Sequence, residues 1–316
     1  MKRTERRRVS LSSSLTLACA ALALVSACGG GSSTPDAGLP DAPAAPDCSA
    51  PVIDDSIAAP TCTSQPADPG VSDLSGTWVA RVAAAQVINA PIVGVMRTQY
   101  VLTMLVTLTQ TGTEIAADGR NCDRLQINEP TAAAPAVLPE AWAHTETPVH
   151  RTASFAVGAG GYPIFHLNAA TEIVGAMLAS PAECLPAKSD DPAVYDQDKD
   201  GKPGITVFVS GQSLAGTICA TQSQTTAANA IAVSAERLEG DLHFTSEQYV
   251  LESDPESLGQ LYSMGTTTAD PILCNSAFVM VRVADAQVAD GGASLDGGTA
   301  LSCDWVRANE AALFGP

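Results

Sequence analysis

Residues 100–109, YVLTMLVTLT, decide the fold class of this chain. Their β-branched and apolar side chains favour a strand that is buried on one or both faces. Residues 110–113 (QTGT) then indicate a hairpin turn, residues 114–117 return, and residues 118–120 (DGR) indicate another turn. The segment therefore predicts an antiparallel β-meander, because each short turn brings the next strand back beside the preceding one.

Short strands separated by turns recur along the chain, whereas long runs with helical apolar spacing are nearly absent. A terminal helix is predicted at residues 305–314 and one helical turn at residues 139–142. We expect a mainly β globular domain over residues 72–316, with the antiparallel meander forming a barrel or a sandwich. The further predicted strands are residues 74–82, 122–127, 152–157, 164–167, 171–177, 205–210, 215–220, 230–234, 238–245, 249–251 and 275–283.

The N-terminus has the pattern of an export signal over residues 1–27. Five basic residues lie among the first eight, an apolar stretch follows, and the segment leads into Val25-Ser26-Ala27-Cys28. This ending resembles the lipobox of bacterial lipoproteins. The resemblance implies that Cys28 is acylated and tethers the chain to a membrane outside the cytoplasm. We expect a cell-envelope lipoprotein of the outer membrane that faces the periplasm or the cell surface.

Two alternatives exist for the apolar stretch. An uncleaved anchor would need about 20 strongly apolar residues, and serines dilute this stretch. The other alternative is a plain secretory signal without a lipid. The lipid interpretation is favoured because a flexible Gly/Ser tract, residues 29–33, follows Cys28 directly.

Residues 28–71 have the composition of a disordered tether. Eight prolines are interspersed with Asp, Ala, Ser and Gly. Such a segment buries too little apolar surface to order itself, and proline keeps it extended.

The charge balance excludes nucleic acid as a partner. Five of the 16 Lys and Arg residues and one of the 34 Asp and Glu residues lie in residues 1–27, which leaves 11 basic against 33 acidic side chains, a net charge of −22. Nucleic-acid binding requires Lys and Arg to displace counterions. Anionic headgroups are repelled as well, so membrane contact is expected through the lipid on Cys28. The partner is therefore an unknown protein or small molecule.

Seven cysteines follow Cys28: Cys48, Cys62, Cys122, Cys184, Cys219, Cys274 and Cys303. Export would place them where disulfides persist. Because seven is odd, at least one thiol stays free or pairs between chains. Connectivity stays open, but proximity in sequence favours Cys48–Cys62 and Cys274–Cys303.

The sharpest chemical motif is residues 196–201, DQDKDG. Asp196, Asp198 and Asp200 alternate at positions 1, 3 and 5 of a loop, and Gly201 permits the sharp turn at position 6. This spacing gathers hard oxygen ligands around one calcium ion. The motif resembles the start of an EF-hand and the calcium loops of dockerin-type and thrombospondin type 3 repeats.

The loop departs from the EF-hand at Pro203 and at Val207, which stands where a bidentate Glu belongs. The backbone carbonyl of Lys202 is a candidate further ligand. We expect a structural calcium ion bound weakly, with a dissociation constant of about 10⁻⁴–10⁻³ M. The alternative is an acidic solvated turn whose charge repulsion is eased by Lys199 and Lys202.

Gly76-Thr77-Trp78 opens the first predicted strand. It resembles the G-x-W motif of lipocalins, in which the Trp closes one end of a ligand-binding barrel. The alternative is a core Trp that follows a tight turn.

Residues 195–206, 246–251 and 278–282 together resemble a group of uncharacterised bacterial lipoproteins, secreted proteins that set one aspartate loop in a β-domain. The resemblance covers most of residues 72–316 and implies no known activity.

No catalytic constellation is visible in the sequence. His144 and His150 are six residues apart, which matches no zinc motif, His166 and His243 lie in predicted strands, and G-x-S-x-G does not occur. We therefore expect a non-catalytic, lipid-anchored envelope protein that serves as a binding or structural surface module with a calcium-stabilised loop. The alternative is a calycin-like carrier of a small apolar ligand.

Overall fold

The predicted hairpin and its neighbours form a continuous antiparallel sheet in a computed structural model of the chain. The structure describes residues 53–63, 66–68, 70–90, 94–130, 132, 134–158, 161–180, 183–211, 214–283 and 301–315. The strands are β1 (Gly76–Ala90), β2 (Gly94–Thr111), β3 (Glu114–Asn128), β4 (Ala136–Val137), β5 (Thr147–Val157), β6 (Pro163–Val174), β7 (Ile205–Ser210), β8 (Ala215–Ser234), β9 (Arg237–Asp254), β10 (Thr266–Ala269) and β11 (Ala277–Arg282). The helices are α1 (Glu140–Ala143), α2 (Glu256–Ser263) and α3 (Cys303–Phe314), with a 3-10 helix at Leu273–Asn275.

Eight of these strands close into a ring, so the domain is a barrel. Around the ring the order is β8, β6, β5, β3, β2, β1, β11 and β9, and β9 pairs with β8 to complete it. The mainly β class, the antiparallel meander and the short terminal helix are confirmed. The barrel is found rather than the sandwich because β8 pairs along one edge with β7 and β6 and along the other with β9.

The predicted turn at residues 118–120 is wrong, because these residues lie inside β3. Gly119 pairs with Val106 of β2, and the two strands approach closely there. A Cβ at Gly119 would lie 2.1 Å from the carbonyl oxygen of Leu105. The glycine serves this contact between strands rather than a change of chain direction.

Several predicted short strands are parts of longer ones. β8 contains 20 residues and joins the predicted strands at residues 215–220 and 230–234. Its middle, residues 221–226, is Thr, Gln and Ser and gives no apolar signal. Hydrogen-bonded neighbours on both edges hold this polar stretch extended, and composition does not report such non-local pairing.

The terminal helix α3 packs on the outside of the barrel and confirms the predicted helix. It starts at Ser302, whose hydroxyl accepts a hydrogen bond from the backbone N–H of Trp305 at 3.2 Å. Val306 is fully buried against Val79 and Leu105. Helix α2 was not predicted, because its eight residues include Gly259 and are too few to show a helical period. No helix in the described part of the chain combines the length and apolar composition needed to cross a bilayer.

The described part of residues 53–71, within the predicted tether, makes polar contacts with the barrel. Asp241, which is 3 % exposed, accepts hydrogen bonds from the backbone N–H groups of Thr61 (2.6 Å) and Cys62 (2.8 Å). Asn229 donates to the carbonyl oxygen of Ser56 at 2.9 Å. These contacts join the segment to β8 and β9 through polar groups, which its apolar content could not predict. Residues 1–52, with the predicted signal and the sites at Cys28 and Cys48, lie outside the described residues.

The disulfide pairing differs from the pairing predicted by proximity. Cys62 bonds to Cys274 and Cys122 bonds to Cys303, at sequence separations of 212 and 181. The predicted pairs Cys48–Cys62 and Cys274–Cys303 are therefore wrong, because the barrel brings distant segments together. Cys184 is also disulfide-bonded. Cys219 is a buried free thiol, as the odd number of cysteines required.

Candidate functional site

A cavity of about 320 Å³ lies inside the barrel. One part of its wall is apolar and the other is polar, so the cavity is amphipathic. The apolar part includes Met104, Val106, Phe165, Leu242, Phe278 and Met280. The polar part includes Tyr100, Asn121, Thr147, Arg151, Glu172 and Gln224.

The cavity exists because small side chains face inward on neighbouring strands. Ala80 and Ala84 of β1 and Ala117 of β3 line it. In barrels of eight strands the interior is just wide enough for larger side chains to fill it. Alanine at these positions therefore leaves space that a small molecule can occupy.

Trp78 is fully buried in the barrel core together with Val71 and Leu74. Its indole Nε1 donates to the carbonyl oxygen of Leu74 at 2.9 Å. The guanidinium of Arg282 stacks over the Trp78 ring at 4.8 Å and donates to the carbonyl oxygen of Asp73 at 2.9 Å. The core-Trp interpretation accounts for these contacts, and the lipocalin resemblance stays a prediction.

Arg124 is a charged residue that sequence reasoning missed. It is only 1 % exposed, and it lies with its guanidinium over the Trp142 ring at 4.6 Å. It donates to the carbonyl oxygen of Thr145 and to the hydroxyl of Thr147, both at 2.6 Å. Its Nε is buried and has no hydrogen-bond partner among the residues that the structure describes.

Asn121 connects this arginine to the cavity. Its Nδ2 donates to the same Thr147 hydroxyl at 2.6 Å. The Thr147 oxygen thus accepts two hydrogen bonds, and its own proton is left to donate. The Asn121 Oδ1 is buried and lacks a partner within the described part of the chain.

Arg151 supplies a second guanidinium at the cavity. Its Nη atoms donate to the hydroxyl of Thr226 at 3.1 Å, to the carbonyl oxygen of Thr226 at 2.8 Å and to that of Asn168 at 2.7 Å. Its buried Nε has no acceptor among the described residues. Burial lowers the pKa of Arg151, against the opposing effects of the carboxylates of Glu172 and Asp55.

Tyr100 lies in the same electrostatic environment. Burial raises the pKa of its hydroxyl strongly, the charge of Arg124 opposes the rise, and Glu172 adds to it. The hydroxyl therefore stays protonated and can donate a hydrogen bond into the cavity. The sequence of β5 indicates this polar region. Arg151 lies two residues before Ala153 and four before Phe155, so the alternation of the strand places all three side chains on the inward face.

The aspartate loop brings its three predicted calcium ligands together. Carboxylate oxygens of Asp196, Asp198 and Asp200 lie within 4.8 Å of one another. Gly201 has a φ of 87°, which places it in the left-handed region that the sharp turn requires. The backbone N–H of Gly201 donates to Asp196 Oδ2 at 2.8 Å. The three carboxylates suit a hard divalent cation such as calcium.

Asp198 is the least satisfied of the three aspartates. Its Oδ2 accepts from the backbone N–H of Thr206 at 2.8 Å, whereas its buried Oδ1 has no partner in the described structure. Burial raises the pKa of Asp198, and the neighbouring charge of Asp200 adds to the rise. Lys202 contributes its backbone N–H to Asp200 Oδ1 at 2.9 Å, and its carbonyl stays a predicted ligand.

The aspartate loop also forms part of the cavity wall. Gln197 lies between two of the aspartates and lines the cavity. Its side-chain oxygen accepts from the backbone N–H of Gly175 at 2.5 Å, and its backbone N–H donates to Gly204 at 3.0 Å. The conformation of this loop therefore affects the cavity directly.

The histidines do not form a site with one another. His166 is buried and lies 3.2 Å from Asp55 and 3.0 Å from Asn229. His144 and His150 contact Asp123 and Asp118 near the surface, and His150 also lines the cavity. These are structural contacts of polar side chains with their neighbours.

The chain matches no family model, and no curated protein and no solved structure is similar to it.

Proposed function

We propose that this protein binds and carries a small, largely apolar molecule inside its β-barrel. The observation that carries the proposal is the cavity of about 320 Å³. Ligand pockets commonly measure about 300–1,000 Å³ and combine apolar walls with a few polar groups. The cavity lies at the lower end of that range, so the ligand is small.

The aspartate loop has a structural role in this proposal. Calcium bound by Asp196, Asp198 and Asp200 would neutralise their mutual repulsion and hold Gln197 against the cavity. The cation would supply charge neutralisation and rigidity, while the ligand contacts come from the barrel. Support comes from the convergence of the three carboxylates and from the unpartnered Asp198 Oδ1.

The location of the carrier follows from the sequence. Acylation of Cys28 would hold the barrel at the outer membrane, on its periplasmic face or at the cell surface. The net charge of −22 on residues 28–316 keeps the protein itself away from anionic headgroups. A radiolabelled fatty acid should be incorporated into the wild-type protein and not into the Cys28→Ser variant, and equal labelling of both would contradict the anchor.

Ligand binding is tested with an uncharged apolar dye, N-phenyl-1-naphthylamine, whose fluorescence rises in an apolar site. Ala117 faces the cavity and Ala116 faces solvent on the same strand. We expect saturable binding to wild type, at least tenfold weaker binding to Ala117→Leu because leucine occupies part of the cavity, and unchanged binding to Ala116→Leu.

Failure of the dye to bind to the wild-type protein would contradict the carrier proposal. Equal weakening in Ala117→Leu and Ala116→Leu would also contradict it, because the dye would then bind elsewhere. The protein would in that case be a surface module that acts through its exterior.

A further inference from the structure

Two buried guanidinium groups lie at or behind the polar part of the cavity wall. Two guanidinium groups, those of Arg124 and Arg151, and one carboxylate, that of Glu172, act on this region. Asp55 also acts on Arg151, but Asp55 lies 3.2 Å from His166, on the other side of the sheet from the cavity. The two guanidinium groups therefore outnumber the one carboxylate that acts on Tyr100, and the three carboxylates of the aspartate loop form a separate cluster beside Gln197.

Arg124 does not line the cavity, but it acts on Tyr100, which does. It is fully buried, and both of its named acceptors, the Thr145 carbonyl and the Thr147 hydroxyl, are uncharged. A buried charge is costly unless a charge of opposite sign or a full set of hydrogen bonds compensates it. The unpartnered Nε shows that this compensation is incomplete within the described residues.

The polar wall also offers hydrogen-bond donors to the cavity. Thr147 has a proton to donate because its oxygen already accepts from Asn121 and Arg124. Arg151 has an unpartnered Nε–H as far as the described chain extends. Tyr100 lines the cavity and keeps its proton. Several donors beside an incompletely hydrogen-bonded guanidinium suit an acceptor group that carries a negative charge.

We propose that the cavity takes an amphipathic anion, with an apolar body against Phe165, Leu242 and Phe278 and one carboxylate-type head group at Tyr100, Thr147 and Arg151. This proposal rests on the proposed carrier function and names its ligand class. The head group would place a negative charge beside the guanidinium of Arg151 and accept the available hydrogen bonds. The apolar end of the cavity would shield the tail from water.

The test compares two ligands with the same tail. Decanoate and decanol differ only in the head group, and each is measured at neutral pH by its displacement of N-phenyl-1-naphthylamine from the full chain. We expect decanoate to bind at least tenfold more tightly than decanol to wild type, a ratio that corresponds to about 1.4 kcal/mol.

Two substitutions should move this ratio in opposite directions. Arg151→Gln removes a positive charge and should bring the ratio toward one. Glu172→Gln removes the competing carboxylate and should raise the ratio above the wild-type value. Arg151→Lys is the matched control, since it keeps the charge and should keep most of the preference. Equal decanol affinity across the variants would show that the cavity is intact.

The failures of the two proposals are distinguishable. If the dye and decanol bind but decanoate has no advantage, or if decylammonium binds best, the anion proposal is overturned while the carrier proposal stands. If Arg151→Gln does not fold, an unchanged ratio in Glu172→Gln overturns the anion proposal by itself. If no probe binds to wild type, both proposals are overturned.

Discussion

Replacement of Asp198 by asparagine should leave the stability unchanged or raise it without calcium. With calcium present, the same replacement should lower the stability relative to wild type. The raised pKa of Asp198 means that the folded protein holds its proton more tightly than the unfolded chain does. The ionised carboxylate thus costs stability, and the cost grows as the pH rises through the folded pKa. Without calcium at neutral pH, Asp198→Asn should be at least as stable as wild type, since asparagine can still accept from Thr206.

Calcium should stabilise the wild-type protein by more than the ionised Asp198 carboxylate destabilises it. A calcium concentration of about 10 mM is roughly 10 to 100 times the expected dissociation constant. Linkage then stabilises the folded state by about 1.4 to 2.7 kcal/mol. For a domain of this size, each kcal/mol shifts the Tm by about 2–4 °C, so the rise should be roughly 3–11 °C.

The assay is thermal unfolding, followed by circular dichroism in chelator and in calcium at matched ionic strength. Glu114→Gln, which removes an exposed charge from the start of β3, is the control and should respond to calcium as wild type does. Asparagine can still offer one oxygen to calcium, so Asp198→Ala, which removes both side-chain oxygens, is measured beside it. If Asp198→Ala gains as much from calcium as wild type, the loop does not bind the ion and the reasoning is refuted.

Two further predictions concern the cysteines. Replacement of both Cys62 and Cys274 by serine should lower the free energy of unfolding by about 3–5 kcal/mol, because the bond closes a separation of 212 residues. Denaturant titration measures this change. A loss below about 1 kcal/mol would show that the polar contacts of residues 53–62 suffice to hold the segment on the barrel. Cys219 should resist iodoacetamide in the folded protein, because burial raises the pKa of its thiol and restricts access of the reagent. Rapid alkylation that leaves the Tm unchanged would contradict the burial of this thiol.

The contrast between Arg124 and Arg151 shows how far the sequence could predict the candidate site. Arg151 follows the period-two alternation of β5, so its inward position was open to inference. Arg124 did not follow the alternation of β3. Met104 pairs with Asn121 and Thr103 with Asp123, which leaves Cys122 as an extra residue in the ladder. Such a bulge moves the residues that follow it to the opposite face.

The aspartate loop was more predictable than the cavity. The spacing of Asp196, Asp198 and Asp200 with Gly201 is local, and the structure brings the three carboxylates together as that spacing predicts. The cavity depends on Ala80, Ala84 and Ala117 facing inward together from β1 and β3, the two strands that flank β2. No local pattern reports that inward side chains on different strands are all small.

The sequence by itself determined the β class, the meander, the terminal helix and the grouping of the aspartates, because each depends on side chains within a few residues of one another. Only the tertiary structure decided the closure of the ring, the pairing of Cys62 with Cys274, the docking of residues 53–62 and the amphipathic cavity. These features depend on hydrogen bonds and packing between segments far apart in the chain, which local periodicity and composition do not encode.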